Sequence, residues 1–434
     1  MNIFNVRDFG ARGDGVALDS PSIQQAFDRA AAAGGGTVWF PPGIYLAGNL
    51  QLRDHLTVHL ADGAVLKAVA DPTAYPEDRT VHPTWLRHYL LEGRKVKNIT
   101  IEGTGCIDGS GPAFWEDHYI NDEVLAPKSW RPAVIYLIDS QDIILRDFKI
   151  IDASSFTVWP IGCENVTIDN LTIRSPRNGP NTDCLDIDCC RNVRISNCNL
   201  DAGDDCIALK SDGVRLGRMM PCENIAVTNC TLSTTTCGVR IGYEGDAPIR
   251  DCVFSNLTMH QCCHGIDLLS IRPDAKANHI VQGTPIDRIS FNNIVMHDVG
   301  KAIFLWAGRE KPEFDFTGHI RGVSITGLQG EVTDSSYIGG NLDYAAIENL
   351  LLRDVRLVQN GRIDGPGADG IPSHWGGGFM PWSLTLRQVR GIIMENVAFH
   401  KGEVSGAWGG ALRWHGADDF RYNGAAMAAD SQLA

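Results

Sequence analysis

Three aspartates stand at matching points of two neighbouring sequence repeats. Asp183 ends an N-T-D triplet, and Asp204 and Asp205 follow about one repeat later in the stretch G-D-D-C-I-A-L-K. If each repeat forms one coil of a solenoid, successive coils stack at about 4.8 Å and their carboxylates lie side by side. Such carboxylates repel each other, so we expect at least one to have a raised pKa and act as a general acid while the ionised partners activate water. Paired carboxylates of this kind favour cleavage of a glycosidic bond.

Two considerations keep other interpretations of these aspartates open. Solenoid corners commonly carry Asp and Asn, so all three could be structural corner residues without chemistry. In addition, Asp204 and Asp205 are adjacent, and neighbouring side chains of one strand point to opposite faces unless a bulge redirects one of them.

The elements that must position these residues are short strands that repeat along the chain. Clear copies, in which apolar and polar residues alternate and an Asn or Asp marks the corner, begin near residues 96, 163, 190 and 222. Weaker copies begin near residues 141, 250, 287, 321, 348 and 390. Short alternating strands without interleaved helices predict an all-β fold, a right-handed parallel β-helix. A β-propeller is the alternative, but its blades would be more even in length.

One helix is predicted near the N-terminus, at about residues 20–33. Ser20 and Pro21 form a start signal, and Ile23, Phe27 and Ala31 share one face. Such a helix can cover the open end of the first coil. We expect a single β-helix domain over residues 1–400, followed by an irregular C-terminal tail over residues 401–434.

Composition excludes several classes of partner and cofactor. The 434 residues carry a formal charge of −14 and no long basic run, which argues against nucleic acid, and no long apolar stretch predicts a membrane span. The 13 cysteines are odd in number and lack any C-x-x-C spacing, so we predict buried free thiols with neither disulfides nor a metal site. The first residues do not form a signal peptide, so a cytoplasmic location is expected, or secretion if a leader has been removed. No cofactor is predicted, and the oligomeric state is not indicated.

Long loops that interrupt the repeat are rich in aromatic and charged residues. They span about residues 70–92, 110–132, 300–316 and 360–382. Because insertions in a solenoid tend to emerge on one face, we expect these loops to wall a groove in which Trp306 and Arg309 contact a sugar. The alternative is that the aromatic side chains only pack the loops.

The aspartate motifs resemble those of a known enzyme family. Residues 181–183 (N-T-D) and 203–210 (G-D-D-C-I-A-L-K) resemble the motifs of glycoside hydrolase family 28, the polygalacturonase family of pectin-degrading enzymes. Residues 9–15 (F-G-A-R-G-D-G) resemble the opening of the pectate-lyase-like β-helix superfamily. The resemblance covers about residues 5–310. It implies a right-handed parallel β-helix and inverting hydrolysis without a metal ion.

The resemblance also implies a role for each motif residue. Asp204 would be the general acid, while Asp183 and Asp205 would hold and activate the water. Asn181 would orient the site, and Lys210 would lie near it. An inverting acid and base are typically about 6.5–9.5 Å apart, which leaves room for the water molecule.

Two family motifs are absent, which points to a divergent member. Where the family has G-H-G, residues 235–242 read T-T-C-G-V-R-I-G, with Thr236 at the position of the His. Where the family has R-I-K, residues 265–270 read G-I-D-L-L-S. Cationic contacts to a substrate are then expected from Lys210, Arg240, Arg272 and Arg309. We expect an exo-acting hydrolase of pectic or rhamnogalacturonan-type oligosaccharides.

Two other functions fit the same fold. A polysaccharide lyase or related glycan transferase would hold Ca²⁺ between acids, and the candidates are Asp183, Asp186, Asp188, Asp204 and Asp205. A non-catalytic carbohydrate-binding protein would need none of these carboxylates. Lyase products absorb in the ultraviolet, which separates the first alternative from a hydrolase.

Overall fold

A computed structural model describes residues 2–78, 87–121, 123–274, 280–363, 371–375, 380–406 and 408–433. The chain forms two compact units. The first comprises Met1–Ile207 with Val214–Arg218, and the second comprises Ala208–Gly213 with Met219–Ala434. Among the described residues, no helix is both long and apolar enough to cross a bilayer.

The first unit is built from short strands and one helix. The helix is α1 (Ser20–Ala32), and the strands are β1 (Ile3–Asn5), β2 (Asp14–Leu18), β3 (Gly36–Phe40), β4 (Gly43–Ala47), β5 (Leu50–Gln51), β6 (Leu56–Leu60), β7 (Ala64–Ala68), β8 (His88–Arg94), β9 (Lys97–Gly103), β10 (Cys106–Asp108), β11 (Trp115–Tyr119), β12 (Leu125–Pro127), β13 (Pro132–Ile138), β14 (Gln141–Arg146), β15 (Lys149–Ile151), β16 (Val158–Ile161), β17 (Glu164–Asp169), β18 (Thr172–Arg174), β19 (Leu185–Asp188), β20 (Arg191–Ser196) and β21 (Asn199–Ala202). Strand β22 (Ile207–Ser211) starts in the first unit and continues in the second.

Each coil of the first unit stacks in parallel on the coil before it. Strand β17 pairs in parallel with both β14 and β20, which places Val166 between Ile143 and Val193. All three side chains are fully buried. Inward positions therefore form aliphatic columns, and each such residue contributes about 1.5–3 kcal/mol of burial free energy. The predicted parallel β-helix is confirmed.

Asn and Asp residues turn the corners of the coils. Asp142, Asn165 and Asn192 occupy equivalent corners with φ of 59°, 58° and 57°, a left-handed conformation that Asn and Asp tolerate better than other non-glycine residues. The side chains also bond up the stack. The Asn165 amide donates to the Asp142 carboxylate at 3.0 Å and accepts from the Asn192 amide at 3.3 Å. These corner ladders confirm that Asn residues link successive coils.

The predicted N-terminal helix is present and lies against the first strands. Helix α1 ends one residue earlier than expected, and Gly34 and Gly35 follow with positive φ. Its buried face includes Ile23 and Phe27, as predicted, but the next buried residue is Ala30 rather than Ala31. With its apolar face turned inward, the helix caps the first unit.

The second unit uses longer strands in the same parallel arrangement. They are β23 (Cys222–Thr234), β24 (Cys237–Gly245), β25 (Ile249–His260), β26 (His264–Arg272), β27 (Pro285–Val299), β28 (Lys301–Arg309), β29 (His319–Arg321), β30 (Ser324–Val332), β31 (Ser336–Gly340), β32 (Ile347–Ile363), β33 (Trp382–Gly406), β34 (Gly410–Tyr422), β35 (Ala425–Ala426) and β36 (Ser431–Leu433). Strand β25 lies between β23 and β27, and β26 lies between β24 and β28. On this ladder Phe254 and Phe291 stack with ring centroids 4.8 Å apart.

The prediction of an irregular tail after residue 400 is wrong. Strand β34 continues the parallel stack on β33 and buries Trp414, which is 1% exposed. Strand β36 then folds back antiparallel along β34, pairing Leu412 with Leu433. The glycine- and alanine-rich composition hid these strands because small residues carry little alternating signal. The prediction of one domain over residues 1–400 stays a prediction.

All 13 cysteines are free thiols, as predicted. Eleven are buried, Cys106 is half-buried and Cys263 is exposed. Most of them therefore behave as small apolar side chains of the strand stack.

The corner ladder predicts an asymmetric response to substitution at Asn165. Alanine at this corner must adopt a left-handed conformation and loses both ladder hydrogen bonds, so we expect Asn165→Ala to lower the free energy of unfolding by about 1–3 kcal/mol. Asn165→Gly loses the same hydrogen bonds but accepts positive φ, so its loss should be smaller. Urea denaturation followed by circular dichroism measures both. Equal losses would contradict a backbone origin of the effect.

Candidate active site

The three aspartates meet at one corner of the first unit. Asp183 lies two residues before β19, and the backbone N–H of Cys184 donates to the Asp205 carbonyl at 2.9 Å, so Asp183 and Asp205 are aligned on successive coils. One carboxylate oxygen of each aspartate lies within 4.8 Å of the other two. Asp183 and Asp205 are buried at 3% and 4% exposure, whereas Asp204 is half-buried. The most accessible carboxyl group of the three is therefore that of Asp204.

A bend brings both adjacent aspartates to the same side. Residues 203–206 lie between β21 and β22 and belong to neither strand. The alternation of side chains along a strand therefore does not apply to Asp204 and Asp205. The expected conflict in their directions is resolved by this bend rather than by a bulge.

Gly203 and Thr182 hold this bend against the preceding corner. The Thr182 hydroxyl accepts from the Gly203 N–H at 3.1 Å and donates to the Gly179 carbonyl at 3.2 Å. A Cβ at position 203 would lie 2.5 Å from the Pro176 carbonyl oxygen and 2.6 Å from the Thr182 hydroxyl. Only glycine lets the two corners approach this closely. The middle residue of the N-T-D triplet thus sets the position of the aspartate pair.

Arg131 is a site residue that sequence reasoning missed. Its side chain is 3% exposed, and its guanidinium donates to the Ser154 and Pro180 carbonyls and, at 2.8 Å, to the Asn181 side-chain oxygen. Burial lowers the pKa of Arg131 to about 10, while the charges of Asp183 and Asp204 oppose that shift. It lies just before β13, three coils upstream of the Asp205 bend, so no local motif marks it.

Asn181 has the geometry expected of an orienting residue. Its φ of 53° is left-handed, and its side-chain oxygen is fixed by Arg131. The amide nitrogen therefore points away from that contact. Its role toward a substrate stays a prediction, as does a raised pKa within the aspartate triad.

The charge balance of the corner bears on whether it holds a metal ion. Three carboxylates within 4.8 Å form a plausible set of oxygen ligands. However, Arg131 already places one buried positive charge within electrostatic reach of Asp183 and Asp204. Among the described residues, the cluster within this distance comprises Asp183, Asp204 and Asp205 and does not include Asp186 or Asp188.

The spacing of the triad differs from the expected value for an inverting enzyme. The nearest oxygens are within 4.8 Å, whereas an acid and a base on opposite sides of a sugar are typically about 6.5–9.5 Å apart. Asp183 and Asp205 are close because aligned residues on successive coils are separated by one strand spacing, and Asp204 is close because it directly precedes Asp205. A water molecule would therefore have to lie beside Asp183 and Asp205 rather than midway between an acid and a base.

The other predicted site residues lie in the second unit. Lys210 is buried and pairs with Glu244 at 3.4 Å. Arg240 donates to the Cys237 sulfur at 2.8 Å and lies 5.9 Å from the centre of the Trp375 ring. It is committed to these partners and is 9% exposed, which disfavours a direct sugar contact.

The predicted aromatic loops form a cluster in this unit. Trp306 is buried, donates to the Pro372 carbonyl at 3.2 Å and contacts His374 edge-on. Trp375, which is 55% exposed, packs on Tyr243 with ring centroids 4.8 Å apart. Trp375 is therefore a better candidate for a sugar platform than Trp306.

Arg309 turns away from this cluster, because its guanidinium donates to the Phe314 carbonyl at 2.6 Å. The loops predicted over residues 70–92 and 360–382 extend beyond the described part of the chain at 79–86, 364–370 and 376–379.

A parallel β-helix with a carboxylate triad at one corner is typical of carbohydrate-active enzymes. The sequence profile of glycosyl hydrolases family 28 matches residues 66–357, and that of rhamnogalacturonase A/epimerase, pectate lyase-like, matches residues 3–59. Because the first match covers more than half of the chain, this protein belongs to glycosyl hydrolase family 28.

Individual relatives agree with this assignment. A probable polygalacturonase of Vitis vinifera is 31% identical over 260 residues, which are 56% of this chain and 52% of that protein. An exopolygalacturonase of Platanus acerifolia is 26% identical over 69% of this chain and 84% of its own length. The chain thus spans about half of the first relative.

The fold is shared with a family 28 exopolygalacturonase of Yersinia enterocolitica. The TM-score is 0.76 with 18% identity, over 98% of this chain and 79% of the other.

The buried guanidinium leads to a prediction for Arg131→Lys. Lysine keeps the charge, but its three donors lie on one nitrogen and cannot reproduce the rigid fork in which Nη1 donates to two carbonyls and Nη2 to the Asn181 side chain, so the corner loses its alignment. We expect kcat on a hydrolysed substrate to fall about 10–100-fold with little change in KM. Arg131→Met removes the charge as well and should shift the acid limb of the pH–rate profile upward.

The matched control is Arg146→Lys, which changes a half-exposed arginine on β14 that pairs with Glu102 on β9. It should leave kcat near the wild-type value. An Arg131→Lys enzyme with wild-type kcat would show that the guanidinium does not position the site.

Proposed function

We propose that this protein is an exo-acting glycosidase that hydrolyses pectic or rhamnogalacturonan-type oligosaccharides. The observation that carries the proposal is the meeting of Asp183, Asp204 and Asp205 at one corner, with Arg131 holding Asn181 beside them. Polygalacturonases and exopolygalacturonases among the relatives support the substrate class.

In this proposal the role of each carboxylate follows from its exposure to solvent. Asp204, the most accessible, protonates the leaving glycosidic oxygen. Asp183 and Asp205, aligned on adjacent coils, hold and deprotonate the attacking water. Arg131 places a buried positive charge within electrostatic reach of Asp183 and Asp204. Family membership supports inversion, and the short carboxylate spacing makes the anomeric outcome worth measuring.

Exo action is supported by a covered sheet face directly after the aspartate corner. Tyr136 and Trp159 are aligned on β13 and β16, with ring centroids 5.3 Å apart. The Arg215 guanidinium lies 4.4 Å from the centre of the Trp159 ring, and Leu216 packs on the same aromatic cluster. Arg218 anchors the segment on Asp139 at 2.5 Å. A substrate groove that ended at this covered face would admit only one chain end.

We also propose a cytoplasmic location. Thirteen free cysteines without a disulfide are typical of proteins from a reducing compartment. The substrates would then be short oligosaccharides rather than polymer.

The central test is Asp204→Asn assayed on a panel of galacturonan, rhamnogalacturonan and xylogalacturonan oligosaccharides. Without its proton donor the enzyme should lose about 10²–10⁴-fold in kcat, since general acid catalysis contributes that much. New reducing ends, ultraviolet absorbance and the anomer formed, read by NMR, are recorded together. Reducing ends without absorbance support a hydrolase, and absorbance growing with them would make the protein a lyase.

The control is Asp142→Asn, the same change at a corner that carries no aspartate triad. It should leave turnover unchanged, because Asn accepts the left-handed corner. An Asp204→Asn protein with full activity would overturn the assignment of the acid. A wild-type protein that binds these sugars without cleaving any of them would be a binding protein instead.

Opening the covered face should change the product lengths. In the double variant Arg215→Ala and Leu216→Ala, we expect longer products early in the reaction, whereas the wild type should release one short product from the start. Chromatography of a timed digest measures this. Met219→Ala, at an exposed neighbouring position, is the control. Mixed product lengths from the wild type at the first time point would contradict exo action.

A further inference from the structure

A second polar cluster lies on strands β24 and β26 of the second unit, and it contains none of the three aspartates of the proposed chemistry. Cys237 and His264 are the first residues of β24 and β26 and are aligned partners, and Arg240 is aligned with Asp267 in the same pair of strands. All four side chains are buried, at 9% exposure or less. Two coils thus place a thiol, an imidazole, a carboxylate and a guanidinium together inside an apolar stack.

The contacts within the cluster are short. His264 Nδ1 lies 2.5 Å and Cys237 Sγ 3.5 Å from Asp267 Oδ2. One ligand atom from each of the three residues falls within 4.8 Å of the other two. In a tetrahedral zinc site, with bonds of about 2.0–2.3 Å, ligand atoms lie about 3.2–3.8 Å apart. The three atoms therefore need to move by only about 1 Å to surround one ion.

One carboxylate oxygen in the cluster is unsatisfied. Asp267 Oδ1 is fully buried and has no hydrogen-bond partner among the described residues. The other oxygen of this carboxylate, Oδ2, contacts His264 Nδ1 and Cys237 Sγ. A buried carboxylate oxygen without a donor is expensive inside a protein, and a metal ion is one way to satisfy it.

The geometry points to a Zn²⁺ site formed by Cys237 Sγ, His264 Nδ1 and an Asp267 carboxylate oxygen. The mixed sulfur, nitrogen and oxygen donor set suits Zn²⁺ and disfavours Mg²⁺ and Ca²⁺, which prefer oxygen alone. Three protein ligands leave one tetrahedral position for water or another ligand. This proposal departs from the expectation of no metal, which rested on the missing C-x-x-C spacing.

Arg240 would then be a positioning residue for the metal. Its Nη2 donates to Cys237 Sγ at 2.8 Å, and a hydrogen bond of this kind stabilises a ligating thiolate. The two negative charges of the thiolate and the carboxylate would balance the charge of Zn²⁺. The Arg240 guanidinium would therefore not lie beside an unbalanced positive charge. Because Zn²⁺ binds a deprotonated thiolate and an unprotonated imidazole nitrogen, zinc uptake should release protons and weaken at low pH.

The test is Co²⁺ and Zn²⁺ binding to the full-length protein after chelator treatment. We expect one equivalent of Co²⁺ with a thiolate-to-cobalt charge-transfer band, displaced by Zn²⁺, and about one zinc per chain in protein isolated without chelator. Cys237→Ser should abolish the band, His264→Gln should weaken binding at least about 100-fold, and Arg240→Met about 10–100-fold. Cys252→Ser, another buried cysteine of the same unit, should bind as the wild type does.

Two outcomes would overturn the proposal. One is the absence of a charge-transfer band in the folded wild-type protein. The other is equal Co²⁺ binding by Cys237→Ser and the wild type. Circular dichroism of each variant excludes misfolding as the cause, and His264→Gln provides the test if Cys237→Ser does not fold. Neither result bears on Asp204, so hydrolase activity is tested independently.

Discussion

The register of one parallel strand pair determines whether this protein has a site at all. The hydrogen bond from the Cys184 N–H to the Asp205 carbonyl aligns Asp183 with Asp205 across adjacent coils. A shift of one residue would turn every side chain of the affected strand to the other face, which would bury apolar residues on the wrong side. The packing of the aliphatic columns in the core therefore fixes the strand register, and this register aligns the carboxylates.

That alignment brings three negatively charged side chains together, and the buried Arg131 places a positive charge near them. Three carboxylates at strand spacing repel each other, and two of them are almost fully buried. A buried guanidinium that is fixed by two backbone carbonyls cannot move away, so its charge and its hold on Asn181 persist whether or not a substrate is bound. The same principle recurs in the second unit, where Arg240 lies against Cys237 and lowers the pKa of Asp267. In both places a buried arginine is as important as the residues beside which it lies.

Much of the fold could be predicted from local patterns. Alternating apolar residues and Asn corners, such as Asn165, predict a parallel β-helix. Every coil needs the same two features, an inward aliphatic face and a left-handed turn. Helix α1 carried its own start signal. The strands after residue 400 were missed because their small residues and glycines lack that alternation, and only pairing with the preceding coil makes them strands.

The sequence by itself determined the class of fold, the identity of the three aspartates and the fact that they recur about one repeat apart. These features depend only on residue type and on separation along the chain. Only the tertiary structure decided the rest. It put Asp204 and Asp205 in a bend rather than a strand, brought Arg131 to Asn181 across 50 residues of sequence, and placed Arg240 against Cys237. These contacts join residues on different coils, and coil stacking depends on the packing of the whole core rather than on any local motif.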